Sequence, residues 1–520
     1  MRNTRFLLLL CCLALPSFVA GAQQDISFAS LRARLSAPGA VALESGLVLE
    51  GLVISEPGNP NLENGTQSGY KKCYPTLSNR TAYLESPDGA YGFRLAFDHY
   101  TPEARKMLRY GRARIALDGA TLRLDENGCY ILENLPNGSV LDVKPGRRED
   151  IPVKEKALRE LTAADIYTWV KIKNCEFVFK DGSYVNIYDR YGSWSGGTKA
   201  MGRMDSWQTL LCNDEAQALY ALVNSRCQWR RRGNGVPQGT GTVEGVLVRS
   251  DLNRYGHVNA WQIRPLEEED FQMEPAGASA FKTLVEWNWN DRDPLFHTDM
   301  GPQKRFTRAH KMPSDIGSGE LYMDFTNSTY RTFECNNKTV TDEGRDKWGY
   351  VDFAAMEIRT QAKNWWNWSE NCGSSVILKF STEGIKGDRL WLAFSFGAGG
   401  NAASSTAFCP AYWGVEVSTD DVHISRVGIP DIEIHPQPWF DKTIDGVPYG
   451  TSMDCGLGLT EHLVVLPSSL LGQKEVYVRI SPTRKTAYSL AEENSRNATL
   501  RPNLDHWTFT VFGTISVRYR

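Results

Sequence analysis

The chain has 520 residues, 41% hydrophobic and 23% charged, with a net charge of −3 at pH 7. That length suits three or four domains with sizeable cores, and the composition is ordinary for a globular protein. The slightly acidic balance supplies no field for collecting nucleic acid, and no apolar run is long enough for a membrane-spanning helix.

Residues 1–22 read as a secretory signal peptide. Arg2 and Arg5 precede an apolar run over 6–15, and Ala20-Gly21-Ala22 offers a small-residue cleavage site. The mature chain then starts near Gln23 and works outside the cytoplasm, in the periplasm or secreted; loss of the two arginines takes the charge from −3 to −5. Leu10 before Cys11 and Cys11 before Cys12 lack the small residue that bacterial lipidation needs, so no lipid anchor is expected.

A first block, 26–145, alternates apolar and polar residues over short runs at 47–55, 81–85, 91–97, 112–117, 120–124 and 129–133, which predicts strands. Between the third and fourth, Thr101-Pro102-Glu103 has the cap, first-turn proline and early acid of a helix start. Strands, one helix, then strands is the order of an OB barrel. A second block, 146–272, repeats it loosely, with strands at 167–172, 176–179, 183–187, 207–212, 241–248 and 259–264 and a helix over 215–224. The run Leu49–Ile54 echoes Val243–Val248, a hint of duplication. The acidic run 267–270 and the small-residue and Pro stretch 273–280 then read as a linker.

The last block, 281–520, holds ten of the fifteen tryptophans. Strands at 375–382, 389–396, 413–418, 423–427, 475–480 and 506–518, almost without helix, predict a jelly-roll β-sandwich. The expected fold is mainly β: two OB-like barrels followed by a jelly-roll β-sandwich.

Nine cysteines follow the signal segment and none forms a C-x-x-C pair, which argues against zinc. In an exported chain some pair; Cys73–Cys129, Cys335–Cys372 and Cys409–Cys455 are the candidate disulfides because each lies within one block. Buried unpaired thiols remain the alternative.

Several segments resemble a known family. The runs 48–55, 83–95 and 114–122, with 167–177 and 241–264, are similar to the tandem OB-like domain of unknown function found in exported Bacteroidetes proteins. The run Trp413-Gly414-Val415-Glu416-Val417-Ser418-Thr419-Asp420 resembles the jelly-roll modules that often follow such domains. The resemblance implies a cell-envelope context and a binding fold, and it assigns no catalytic residue. The missing lipidation site departs from the commonest pattern and puts surface tethering in doubt.

Chemistry-bearing motifs are few. Asp291 and Asp293 beside Trp287 and Trp289 suit a glycoside hydrolase or a structural calcium ion, against the plainer reading of a solvated turn. The eight histidines form no H-E-x-x-H or H-x-H pair and no G-x-S-x-G elbow accompanies them, so no esterase signature is present. No catalytic residue, cofactor or metal ligand is assigned. Arg226 and Arg230–Arg232 around Trp229 could hold single-stranded nucleic acid on a barrel, although an acidic exported chain favours an anionic polysaccharide there.

Aromatic residues give the strongest binding signal. Indole faces stack on the apolar C–H faces of sugars, which makes Trp365, Trp366 and Trp368 the expected carbohydrate-binding residues, joined by Trp287 and Trp289. Core packing is the competing reading, and strict alternation would set Trp366 and Trp368 on one face and Trp365 on the other. Non-catalytic binding of a glycan or cell-surface component is the expected function. The alternatives are a secreted glycoside hydrolase or esterase, single-stranded nucleic-acid binding, and an envelope scaffold.

Overall fold

A computed structural model of the chain describes residues 23–56, 80–98, 102–178, 206–212, 217–223, 236–249, 261–275, 279, 281–289, 304–306, 311–324, 328–334, 354–399, 408–433, 443–444, 447–448, 460–489, 498–499 and 507–520. The signal segment 1–22 lies outside these residues. The fold is mainly β, arranged in several sheets, and among the described residues no helix is long and apolar enough to cross a membrane.

The first sheet has nine strands. Leu47–Val53 lies between Thr81–Glu85 and Arg112–Ala116, and Gly92–Phe97 runs parallel to Tyr130–Leu135. The expected short helix is present as Pro102–Lys106. In the second sheet Trp169–Phe177 pairs with Ser206–Cys212, which pairs with Gln217–Val223, which runs parallel to Trp261–Arg264. Thr240–Arg249 then joins Trp261–Arg264 back to Trp169–Phe177, so five strands close into a ring. Both sheets set one strand, Leu47–Val53 or Trp169–Phe177, between the next strand in sequence and the third one after it (Arg112–Ala116 or Thr240–Arg249), and run the strand after that next one parallel to a later strand.

Four expectations need correction here. The segment expected as a helix over 215–224 is strand Gln217–Val223, because Leu219 and Ala221 alternate into the ring interior and neighbours on both sides take its backbone bonds. The strands expected at 167–172 and 176–179 are one strand, bent by a register shift between Ile172 and Cys175. The echoing runs 49–54 and 243–248 fall on Leu47–Val53, which starts the shared pattern in one sheet, and on Thr240–Arg249, which stands three strands later in the pattern of the other, so they are not equivalent positions. The acidic run, read as linker, forms a turn in which Asp270 accepts from the backbone N–H groups of Leu266 and Glu267 at 2.7 and 2.9 Å, and Phe271–Glu274 continues the second sheet.

The two β units share an apolar boundary. Leu52, Ile54, Tyr83, Cys129 and Ile131 pack into the same core as Trp169, Val246 and Ile263, and the Tyr83 and Tyr167 rings stack at 5.2 Å. Gly92 is required there: a Cβ would stand 1.8 Å from the Tyr167 carbonyl oxygen. Glu85 is fully buried at this boundary. Its Oε1 accepts the Trp169 backbone N–H at 3.1 Å, while Oε2 has no partner.

Two further sheets, of eight and seven strands among the described residues, build the C-terminal sandwich. The final strand, Trp507–Tyr519, pairs along one edge with Leu390–Gly399 and along the other with Lys282–Trp287 and Ala354–Gln361, so the first and last strands of this part meet. Opposite it, Gly319–Met323, Val376–Phe380, Val476–Pro482 and Tyr412–Ser418 pair antiparallel. Trp287, Phe394, Phe396, Trp413 and Phe512 contribute to the core between them.

Burial pushes the Glu85 carboxyl up to about 8, against the pull of the Trp169 N–H, Lys154 and Arg148. The folded chain therefore keeps a proton that an unfolded glutamate releases near pH 4.3 (about the usual value), and stability declines as pH rises from there to about 8, then levels off. Thermal melting followed between pH 5 and 9 should show Glu85→Gln losing less stability than the parent over that window; identical slopes would contradict this account.

Candidate binding surface

The turn Ala362–Trp365 leads into two short antiparallel strands, Trp366–Asn367 and Cys372–Gly373, on the rim of the sandwich. Asn367 shapes the connection. Its Oδ1 accepts from the Ser369 hydroxyl at 2.7 Å and from the Ser369 and Glu370 backbone N–H groups, an Asx turn that commits this carbonyl internally. Asn371 takes a φ of +54, a left-handed position that asparagine tolerates. Gly373 lets the hairpin lie against the neighbouring strand end, since a Cβ there would stand 2.1 Å from the Pro482 carbonyl oxygen.

The five expected tryptophans do not form one platform. Trp365 is fully buried, edge-on to Trp413 at 5.0 Å and 77°. Trp287 is also fully buried, its indole N–H donating to the Met312 carbonyl at 3.3 Å; Trp289 is 2% exposed and donates to the Gly513 carbonyl at 2.8 Å. These three are core side chains, because enclosing a large ring between sheets while satisfying its one donor outweighs leaving it wet. As arranged, they offer no face to a ligand.

Trp366, although it packs into the same core, and Trp368, which lies against it, differ in their donors. Trp366 is 6% exposed and Trp368 is half-buried, and neither indole N–H has a hydrogen-bond partner. The Lys485 ammonium lies 4.7 Å from the Trp368 ring centre and 5.7 Å from that of Trp366. Lys485 follows Thr483, whose buried hydroxyl is also unpartnered, and Arg484, whose guanidinium lies 4.4 Å over the Tyr412 ring. Arg484 and Arg426 share the single carboxylate of Asp431. The hairpin 366–373 and segment 482–485 thus place rings, unpaired donors and cations side by side. Lys485 was absent from the sequence expectation, because a lysine more than 100 positions from its rings leaves no local pattern.

The other candidates can be placed in part. Cys129 is buried with Sγ 3.2 Å from the Arg249 carbonyl oxygen. Cys372 is exposed, with Sγ 3.7 Å from Glu370 Oε2; burial first, and then that carboxylate, push its thiol up, away from the reactive thiolate. Cys409 sits in the short strand Phe408–Pro410. Their proposed partners Cys73, Cys335 and Cys455 lie outside the described residues, as do Asp291, Asp293, Arg226, Trp229 and Arg230–Arg232.

Among the described residues, no group of three or more His, Cys, Asp or Glu side chains could hold a metal ion. His462 is buried between the Phe394 and Phe396 rings. His423 pairs with Asp420 at 2.6 Å on an exposed turn, each holding the other in its charged form. The nearby Ser418 hydroxyl donates to Asp420 and not to the imidazole, so these residues do not make a nucleophile–base pair.

No family model matches the chain, and no curated protein matches it. Among solved structures, the chain is similar to the K2 cleaved adhesin domain of Lys-gingipain, at 9% identity over 47% of this chain and 99% of that chain, with a TM-score of 0.20. It is also similar to the K1 cleaved adhesin domain of Lys-gingipain from Porphyromonas gingivalis W83, at 11% identity over 39% and 98%, with a TM-score of 0.16. At such scores neither likeness carries an argument about this chain.

The division between core and rim tryptophans is measurable. Denaturant unfolding should show Trp365→Ala costing about 3–5 kcal/mol, as for other enclosed aromatic side chains, and Trp368→Ala well under half of that. Equal losses would place both rings in the core.

Proposed function

We propose that this chain is a non-catalytic binding protein of the cell exterior whose ligand is a glycan. The contact lies on the sandwich rim formed by Trp366, Trp368 and Lys485. One observation carries the reading: a half-buried indole, Trp368, whose N–H is unpaired and whose only cationic neighbour among the described residues is a flexible lysine stem. A sugar ring needs an apolar face to cover and a donor for a hydroxyl or ring oxygen, and this side chain supplies both. The signal-like segment at 1–22 and the resemblance of residues 26–272 to exported tandem OB-like domains support an extracytoplasmic role. The barrels serve in this reading as the stem that carries the sandwich.

A glycan array followed by calorimetry on the hits tests it. Trp368→Ala should weaken binding by at least about tenfold, the loss of roughly one stacking and hydrogen-bonding contact, with the melting temperature nearly unchanged. Undiminished affinity in that variant, or an array without hits, would contradict the reading.

A further inference from the structure

We infer that this rim selects acidic glycans, with the ligand's carboxylate or sulfate taken by Lys485 and its sugar face by Trp368. The inference rests on the glycan reading above and adds the charge of the ligand.

The chemistry left unsatisfied at the rim is mostly donor. The indole N–H groups of Trp366 and Trp368 can only donate, and so can the Lys485 ammonium; none of the three has a hydrogen-bond acceptor among the described residues. The Thr483 hydroxyl, also unpartnered, is free to donate as well. Of the nearby carboxylates, Asp431 holds Arg426 and Arg484, Asp324 accepts the Ser375 backbone N–H at 2.8 Å, and Glu416 is set opposite Arg426 and lies 3.5 Å from the Ser481 hydroxyl; Glu370 faces the Cys372 thiol and makes no ion pair with a described residue. Lys485 makes no ion pair with a described residue and rests on ring faces instead. A cluster of buried donors without an acceptor is costly as it stands, and an anionic oxygen group is the partner that satisfies donors and cation together.

The arrangement also explains how the ligand enters. The two indole nitrogens are covered in this structure, and the side chain lying over the rings is Lys485. A lysine on aromatic faces is held by a weak cation–π attraction and has a long flexible stem. An arriving carboxylate draws the ammonium off the rings, forms a charge-assisted bond with it, and leaves the Trp368 face free for the attached sugar. A neutral sugar must displace the same ammonium without offering it a partner. Discrimination follows from that difference, as an unmade bond on one side and a made one on the other.

A matched pair separates this inference from the reading beneath it. Calorimetry would compare oligogalacturonate with its fully methyl-esterified form, which keeps the rings and removes the charge, beside an array holding uronate, sulfated and neutral glycans. The acid should bind at least about tenfold more tightly than the ester at low salt, weakening as salt rises. Lys485→Gln should lower affinity for acidic hits by about tenfold while Lys485→Arg retains most of it. Hits confined to neutral glycans, or acid and ester bound alike, would overturn the charge selection and leave glycan binding standing. An array without hits of either kind would overturn both.

Discussion

The edge-on contact between Trp365 and Trp413 is the constraint on which the candidate surface depends. Trp413 is fixed by its own indole bond to the Pro410 carbonyl at 2.8 Å and by the rings of Phe396 and Phe512 at 5.4 and 6.5 Å. Trp365 completes that cluster from the opposite side of the chain reversal. Trp366 still packs against the same core, and the chain then turns outward. Trp366 enters a two-residue strand at the rim, the Asx turn at Asn367 reverses the chain, and Trp368 is left half outside. Each aromatic pair in the cluster adds on the order of 1 kcal/mol beyond simple burial. The binding side chains are thus positioned by rings that themselves touch no ligand.

A different rule governs the boundary between the first two β units. There the packing is close enough to exclude a single methyl group at Gly92 and to strand one oxygen of Glu85 without a partner. A protonated carboxyl tolerates that site far better than a charged one, so the boundary is tightest in mild acid. Around it, Arg148 covers the Trp169 ring at 4.4 Å and pairs with Glu244, and Lys154 and Lys156 hold Asp165 at 3.2 and 2.9 Å. Charge is dense here, and nearly all of it is matched.

Strand positions were legible wherever alternation and turn residues coincided, as at Thr81–Glu85, Val376–Phe380 and Tyr412–Ser418. The run Gln217–Val223 was misread because its residues, Ala and Leu above all, are good helix formers; partners distant in sequence decided the outcome. The tryptophans were legible as a group but not one by one. Composition reveals that rings are abundant, whereas burial depends on which sheet faces which. Alternation set Trp365 and Trp366 on opposite faces, yet both pack into the one sandwich core, and Trp368 alone of the three is left half-buried. Lys485, the cation over those rings, belongs to a segment that only the sheet brings alongside.

Amide hydrogen exchange, with and without an acidic oligosaccharide, addresses the location of the site most directly. The account predicts new protection confined to residues 364–374 and 482–486, with the first two β units unchanged. Protection centred on those units, or spread evenly over the sandwich with none at that rim, would contradict it.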